Sequence, residues 1–178
     1  MNMPRVCKAL ALAAVATFAA GNAFAASQGT LGATSQGTLD ITLTIDPLVQ
    51  ISALDDIPLG TYLGGGDMRG VDDLCVYSNN GGYEITATGN GAGQAFELTG
   101  TSSATISYTV EWATSAGAAT GTALPSAVPL AGQGGTFTTP DCGGADNARV
   151  IVTVADADLA AAPSDDYTGV LTLLVAPQ

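Results

Sequence analysis

Apolar and polar residues alternate without interruption through residues 38–46, near the start of the chain. One face of this stretch would carry Leu39, Ile41, Leu43 and Ile45, and the other Thr38, Asp40, Thr42 and Thr44. A period of two predicts a β-strand that is buried on one face only. Because a small polar lead precedes it, the strand needs either a place in its own sheet or a groove in a neighbouring molecule.

The lead itself contains a short repeat. Ser-Gln-Gly-Thr-Leu occurs at residues 27–31 and again at residues 35–39. The even offset of eight residues places Leu31 on the same face as Leu39, so the lead is expected to extend the strand.

Short alternating or apolar runs continue to the end of the chain, separated by Gly, Pro, Asn and Asp. They predict strands at residues 48–54, 57–62, 74–77, 83–87, 95–98, 105–112, 149–154 and 167–175. Asn-Asn-Gly-Gly at residues 79–82 is typical of a hairpin turn. Residues 64–73 are expected to be a polar loop, and residues 113–140 two weak strands with loops. Strands at such short intervals predict a sandwich of two sheets.

The first 25 residues have the features of a signal peptide. Arg5 and Lys8 precede an apolar run at residues 9–20, which is too short to span a bilayer, and Ala-Phe-Ala at residues 23–25 is a cleavage signature. We therefore expect a signal peptide at 1–25, an N-terminal extension at 26–46 and a domain at 47–178. The exported chain is expected to have no membrane anchor.

Acidic residues dominate the charge. The chain has 16 Asp and Glu against 4 Lys and Arg, and removal of Arg5 and Lys8 leaves 2 against 16, a net charge of −14. Such a chain cannot neutralise phosphates, which argues against nucleic acid and anionic membranes as partners. We interpret the acids as solubilising, with a cationic partner or calcium as the open alternative. The calcium candidates are Asp55, Asp56, Asp67, Asp72 and Asp73, which lack the spacing of a calcium loop.

The chain is nevertheless 47% hydrophobic, and helix signals are weak. An all-β domain is expected. Cys7 lies in the predicted signal peptide, which leaves Cys75 and Cys142 as a pair in an oxidising compartment. A disulfide between them is the default interpretation.

Candidate catalytic chemistry is sparse. After the predicted signal peptide the chain has no histidine or lysine to activate a serine. Glu84, Glu97 and Glu111 could form a carboxylate pair, but all three fall on the polar side of alternating strands. Trp112 could stack on a sugar, although its shared face with Ile106 and Val110 indicates a core position. No enzyme activity, cofactor or metal is predicted.

Three stretches together resemble the pilin-type subunits of the chaperone-usher pathway, in the spore coat protein U domain or archaic fimbrial group. They are Gly-Thr-Leu-Asp-Ile-Thr-Leu-Thr-Ile at 37–45, Cys-Val-Tyr-Ser-Asn-Asn-Gly-Gly-Tyr at 75–83 and Tyr-Thr-Gly-Val-Leu-Thr-Leu-Leu-Val at 167–175. Their order and their distances from the two ends carry the resemblance, which covers essentially the whole chain after the signal peptide.

This resemblance implies an immunoglobulin-like β-sandwich that lacks its last strand. In that family the missing strand leaves a hydrophobic groove, which a chaperone fills in the periplasm and the N-terminal strand of the next subunit fills in the fibre. The donor residues here would be Leu39, Ile41, Leu43 and Ile45. The strand bordering the groove would contribute Tyr167, Val170, Leu171, Leu173 and Val175.

The resemblance thus implies a structural subunit of a fimbria, assembled by donor-strand exchange and associated with cell adhesion and biofilm formation. Its expected partners are identical or related subunits, a periplasmic chaperone and an outer-membrane usher. It would be exported, pass through the periplasm and end at the cell surface. The alternative is a self-contained secreted β-sandwich that binds carbohydrate or another surface ligand.

Overall fold

The computed structural model describes residues 26–178, so the predicted signal peptide lies outside the described residues. The chain divides into two compact units between Ile45 and Asp46, whereas the predicted extension ended at residue 46. All the strands of the described residues lie in the second unit. No helix in this part of the chain is long and apolar enough to cross a membrane.

The second unit is built from strands, one short α-helix and two 3-10 helices, Ala92–Gln94 and Cys142–Gly144. The strands are β1 (Val49–Ser52), β2 (Met68–Ser78), β3 (Gly82–Gly89), β4 (Glu97–Gly100), β5 (Thr105–Ser107), β6 (Thr109–Ala113), β7 (Thr122–Ala123), β8 (Leu130–Gly134), β9 (Ala148–Val154), β10 (Tyr167–Thr168) and β11 (Leu171–Pro177); the helix α1 is Asp156–Ala161. The predicted all-β class is confirmed.

The strands form three antiparallel sheets. A five-stranded sheet has the order β1-β2-β9-β6-β7, and two three-stranded sheets have the orders β11-β3-β8 and β10-β4-β5. Inward-facing residues of these sheets pack into one apolar core, as expected of a β-sandwich.

Trp112 lies at the centre of this core. Its indole Nε1–H donates to the hydroxyl oxygen of Tyr83 over 3.1 Å, and the two rings meet edge to face at 6.3 Å. Burial raises the pKa of Tyr83 to about 12. The core also contains Leu74, Val76, Ile85, Val110, Val150, Val152 and Val154. Trp112 is therefore a core residue, as predicted.

The predicted hairpin at residues 74–87 is wrong. Residues 79–81 do turn the chain, but β2 lies in the five-stranded sheet and β3 in another sheet. The physical reason is that both edges of β2 are occupied near the turn, one by β1 and the other by Asn147 and Thr136. The turn is thus a corner between sheets. The Ser78 hydroxyl fixes it by donating to the Gly82 carbonyl over 2.7 Å.

The predicted loop at residues 64–73 ends earlier than expected. Strand β2 begins at Met68, because its polar first half pairs with the strongly apolar β9, from Met68 opposite Val154 to Leu74 opposite Ala148. The strand predicted at residues 57–62, by contrast, does not form. Ile57 packs closely over Gly70, where an added Cβ would lie 2.2 Å from the Ile57 Cγ2 atom.

Two long predicted strands are divided. Residues 105–112 form β5 and β6 with a break at Tyr108, whose N–H donates to the Phe96 carbonyl. Residues 167–175 form β10, which pairs with β4, and the start of β11, which pairs with β3. The chain therefore changes sheets at Gly169 and Val170.

The described part of the first unit, residues 26–45, contains no strand. Ser27 and Thr38 form an antiparallel bridge with two backbone hydrogen bonds of 2.9 Å. The lead therefore folds back around residues 31–34, and the prediction that it extends the strand is wrong. Residues 38–46 are likewise not a strand in the single chain, because a strand requires a partner for its backbone groups.

Candidate functional site

Strand β11 has an open edge. Within residues 26–178 it pairs only with β3, from Leu171 opposite Gly89 to Pro177 opposite Tyr83. The N–H and C=O groups along the other edge of β11 therefore have no strand partner in the described chain. An unpaired edge of this kind is a template for an added strand.

A groove of about 370 Å³ lies next to the first half of β11, and Leu171 and Leu173 of that strand line it. Its lining includes Leu54, Ile57 and Leu59 from the segment after β1, together with Leu98, Tyr108, Val150, Val152, Gly169, Val170, Leu171 and Leu173. Apolar side chains from β9, β11 and the segment after β1 thus surround one cavity. The arrangement can bind apolar side chains and, along β11, a peptide backbone.

The sequence explains why the segment after β1 leaves the groove open. Ala53 has a positive φ of 59°, which ends β1, and Pro58 has no N–H to donate. The apolar side chains of Ile57 and Leu59 still pack against the core. This segment therefore supplies apolar contacts to the groove without closing it by a strand.

Three carboxylates also line the groove, those of Asp55, Asp56 and Asp72. Asp72 occupies an inward-facing, buried position of β2, and its Oδ2 atom accepts the Asp55 backbone N–H over 3.1 Å. Burial raises the pKa of Asp72, and the nearby Asp55, Asp146 and Asp73 raise it further. The groove is therefore apolar with an acidic part.

The predicted groove residues are only partly brought together. Val170, Leu171 and Leu173 line the groove, whereas Val175 packs against the core and is not part of the lining. Tyr167 lies in β10, opposite Gly100 of β4, and its hydroxyl donates to the Pro163 carbonyl over 2.9 Å. Tyr167 does not belong to the strand that borders the groove, because the chain changes sheets after it.

The groove residues that come from the segment after β1 could not be identified from the sequence. Leu54, Ile57 and Leu59 do follow the apolar pattern of the chain, but the pattern does not show that they line one groove with residues of β11. The one distinctive signal in this segment is Pro58, which indicates that the backbone there cannot form all the hydrogen bonds of a strand.

The four apolar side chains of the alternating segment are largely exposed. The exposed fractions are 70% for Leu39, 89% for Ile41, 85% for Leu43 and 74% for Ile45. Soluble proteins rarely leave four large apolar residues in a row on one face exposed. The segment is therefore a candidate for binding to another molecule.

The three glutamates considered as a carboxylate pair are distributed over the fold. Glu84, Glu97 and Glu111 lie on β3, β4 and β6, which belong to three different sheets. Among residues 26–178 there is no group of three or more His, Cys, Asp or Glu side chains that could hold a metal ion.

The expectation that residues 64–73 are a polar loop of solubilising acids is wrong for Asp72 and Asp73. Asp72 is a buried strand residue, and Asp73 forms a salt bridge with Arg149, whose guanidinium lowers the pKa of Asp73. Both belong to β2 because its pairing with β9 extends further than the sequence predicts.

The predicted disulfide is present. Cys75 of β2 and Cys142 are bonded, with their Cα atoms 5.8 Å apart and a sequence separation of 67. The bond connects the buried Cys75 of β2 to the segment before β9. It is a structural feature and lies outside the groove lining.

Comparison with known proteins gives limited similarity. No family model matches the chain, and no curated protein matches it. Among solved structures, the protein is similar to one chain of a structure described as "Chaperone-tip adhesin complex is vital for synergistic activation of CFA/I fimbriae biogenesis". The sequence identity to that chain is 17%, and the TM-score is 0.47. The match covers 73% of this chain and 42% of that chain. A likeness of this degree shows neither the family nor the partners of this protein.

Proposed function

We propose that this protein is a structural subunit of a fimbria that polymerises by donor-strand exchange. Residues 39–45 of one molecule would bind in the groove beside β11 of the next. The observation that carries the proposal is the presence in one chain of two complementary parts. One is an apolar groove along an unpaired strand edge, and the other is an exposed segment with apolar residues at every second position.

The chemistry of the two parts is matched. A strand added to β11 would direct alternate side chains to one face, so Leu39, Ile41, Leu43 and Ile45 would all point toward the groove. Each such side chain contributes roughly 1.5 to 3 kcal/mol when it is fully buried. Thr38, Asp40, Thr42 and Thr44 would stay on the solvent face, and the backbone would complete the hydrogen bonds that β11 leaves open.

The same groove supports the proposed partners. Before assembly, β11 and its apolar surroundings would need a temporary cover, since an open edge beside apolar side chains favours aggregation. The resemblance to chaperone-usher subunits suggests a periplasmic chaperone for this task and an outer-membrane usher for assembly. We accordingly propose export to the periplasm and then to the cell surface, with a structural rather than enzymatic role.

Gel electrophoresis of the full-length protein, co-expressed with the periplasmic chaperone of its own system, tests the proposal. We expect a ladder of SDS-resistant polymers in unheated samples that collapses to the monomer after boiling, because the donated strand should dissociate slowly. Adding a synthetic peptide of residues 37–46 in excess should shorten the ladder. A single monomeric band under all conditions would contradict the proposal and favour a self-contained binding domain.

A further inference from the structure

One residue holds the start of the second unit. The side-chain Oδ1 of Asn79 accepts the Leu48 N–H over 2.8 Å, and its Nδ2 donates to the Asp46 carbonyl over 2.9 Å. The backbone N–H of Asn79 donates to the Leu48 carbonyl over 3.0 Å. We call these three hydrogen bonds the Asn79 clamp.

The clamp leaves little freedom in residues 46–48. Pro47, the residue between the two bonded ones, has a fixed φ and no N–H. The bonds therefore reach the Asp46 carbonyl and both backbone groups of Leu48, and the proline ring restricts the chain between them. Strand β1 then begins at Val49, opposite Ser78 of β2.

Asn79 is itself held firmly at the corner between β2 and β3. The Ser78 N–H donates to the Thr136 carbonyl over 2.8 Å, and the Ser78 hydroxyl donates to the Gly82 carbonyl. The neighbouring Asn80 donates through Nδ2 to the carbonyl of Gln178, which directly follows β11. The clamp is thus connected to the five-stranded sheet and to the sheet that contains β11.

We propose that the Asn79 clamp makes Asn79 the residue that sets the orientation between successive subunits of the polymer. This inference rests on the proposed function. The last apolar residue of the donated segment, Ile45, immediately precedes Asp46, so no free residue separates the donated strand from the clamped one. A domain whose first residues are held in this way cannot swing freely relative to the neighbouring domain that accepts its segment.

Loss of the clamp would introduce a short linker. Asn79→Ala removes the two side-chain bonds and leaves the bond from the Asn79 backbone N–H to the Leu48 carbonyl. It would therefore free residues 46 and 47, which can span up to about 7 Å when extended. Pro47 would keep part of the stiffness. The polymer should still form, because Asn79 is not among the residues that line the groove, but its subunits should vary more in orientation.

The test compares fibres of Asn79→Ala, Asn79→Asp and wild-type protein by electron microscopy. We expect the spread of angles between successive subunits to increase about twofold in Asn79→Ala, and the persistence length of the fibre to fall. Asn79→Asp keeps an acceptor for the Leu48 N–H and loses the donor to Asp46, so it should give an intermediate result. Asp46→Ala is the matched control, because the clamp uses only the backbone carbonyl of Asp46.

Two outcomes separate this inference from the proposed function. SDS-resistant polymers with the same angular spread in all four proteins would overturn the role of Asn79 and leave donor-strand exchange intact. Absence of polymers in the wild type would overturn both. If Asn79→Ala fails to fold, Asn79→Asp decides the question, and a wild-type angular spread in its fibres would refute the proposal.

Discussion

A carboxylate at position 41 should block polymerisation without harming the folded domain. Ile41 is 89% exposed in the single chain, so Ile41→Asp should change the stability of the monomer by no more than about 0.5 kcal/mol. In the polymer, the four donated side chains together would contribute about 6 to 12 kcal/mol. Ile41→Asp removes one contribution and places a charge in an apolar groove, at a cost of several kcal/mol.

The assay is the yield of SDS-resistant polymer from chaperone-bound subunits, with the folded state followed by circular dichroism. Ile41→Asp and Leu43→Asp should give chaperone-bound, folded subunits and few or no fibres. Thr42→Asp is the matched control on the opposite face, and it should polymerise like the wild type. Normal polymer yield from Ile41→Asp, or an unfolded Ile41→Asp subunit despite the chaperone, would refute the reasoning.

Three further predictions concern the domain itself. Reduction of the Cys75–Cys142 bond should lower the free energy of unfolding, measured by urea denaturation, by about 4 kcal/mol in the chain-entropy model. Two reactive thiols in unreduced protein, titrated under denaturing conditions, would contradict the bond. Tyr83→Phe should cost about 1 to 3 kcal/mol, because it removes the buried acceptor of the Trp112 indole N–H, and an unchanged urea midpoint would contradict this. Asp72→Asn should stabilise the domain at pH 7, since the raised pKa of Asp72 means that its charged form costs stability above that pKa. This advantage should vanish as the pH falls through the folded pKa toward the unfolded value of about 3.9, and a pH-independent difference would argue against the assignment.

The sequence predicted several strands correctly, although residues 38–46 and 57–62 form none in the structure. The apolar run of β9 and the alternation before Trp112 both predicted strands that the structure contains. Period-two alternation marks a half-buried strand because it is a local consequence of pleating. The signal nevertheless needs a partner strand, which the alternating residues 38–46 lack in the described chain.

Strand pairing was the part that the sequence did not reveal. The Asn-Asn-Gly-Gly turn indicated a hairpin, yet β2 pairs with β1 and β9, and β3 pairs with β8 and β11. A turn specifies a reversal of the chain, whereas pairing depends on which edges remain free after distant strands have joined. The same limitation hid the change of sheets at Gly169, which removes Tyr167 from the groove.

The candidate site combines a local feature and a non-local one. The proposed donor residues were visible in the sequence because their alternation is regular and contiguous. The groove was predicted only in part. Leu171 and Leu173 belong to one predicted strand, whereas Ile57 and Val152 come from distant segments. The inward position of Asp72 was also not predicted, because an acidic residue close to Gly and Asp is typical of a turn.

Amide hydrogen exchange in the monomeric, chaperone-bound subunit and in the polymer tests donor-strand exchange most directly. The account predicts that the amides of residues 39–45 exchange rapidly in the monomer, where this segment has no strand partner in the described chain. In the polymer the same amides should be protected by several orders of magnitude, because each would belong to a ladder alongside β11. Rapid exchange of residues 39–45 in intact polymers would contradict donor-strand exchange.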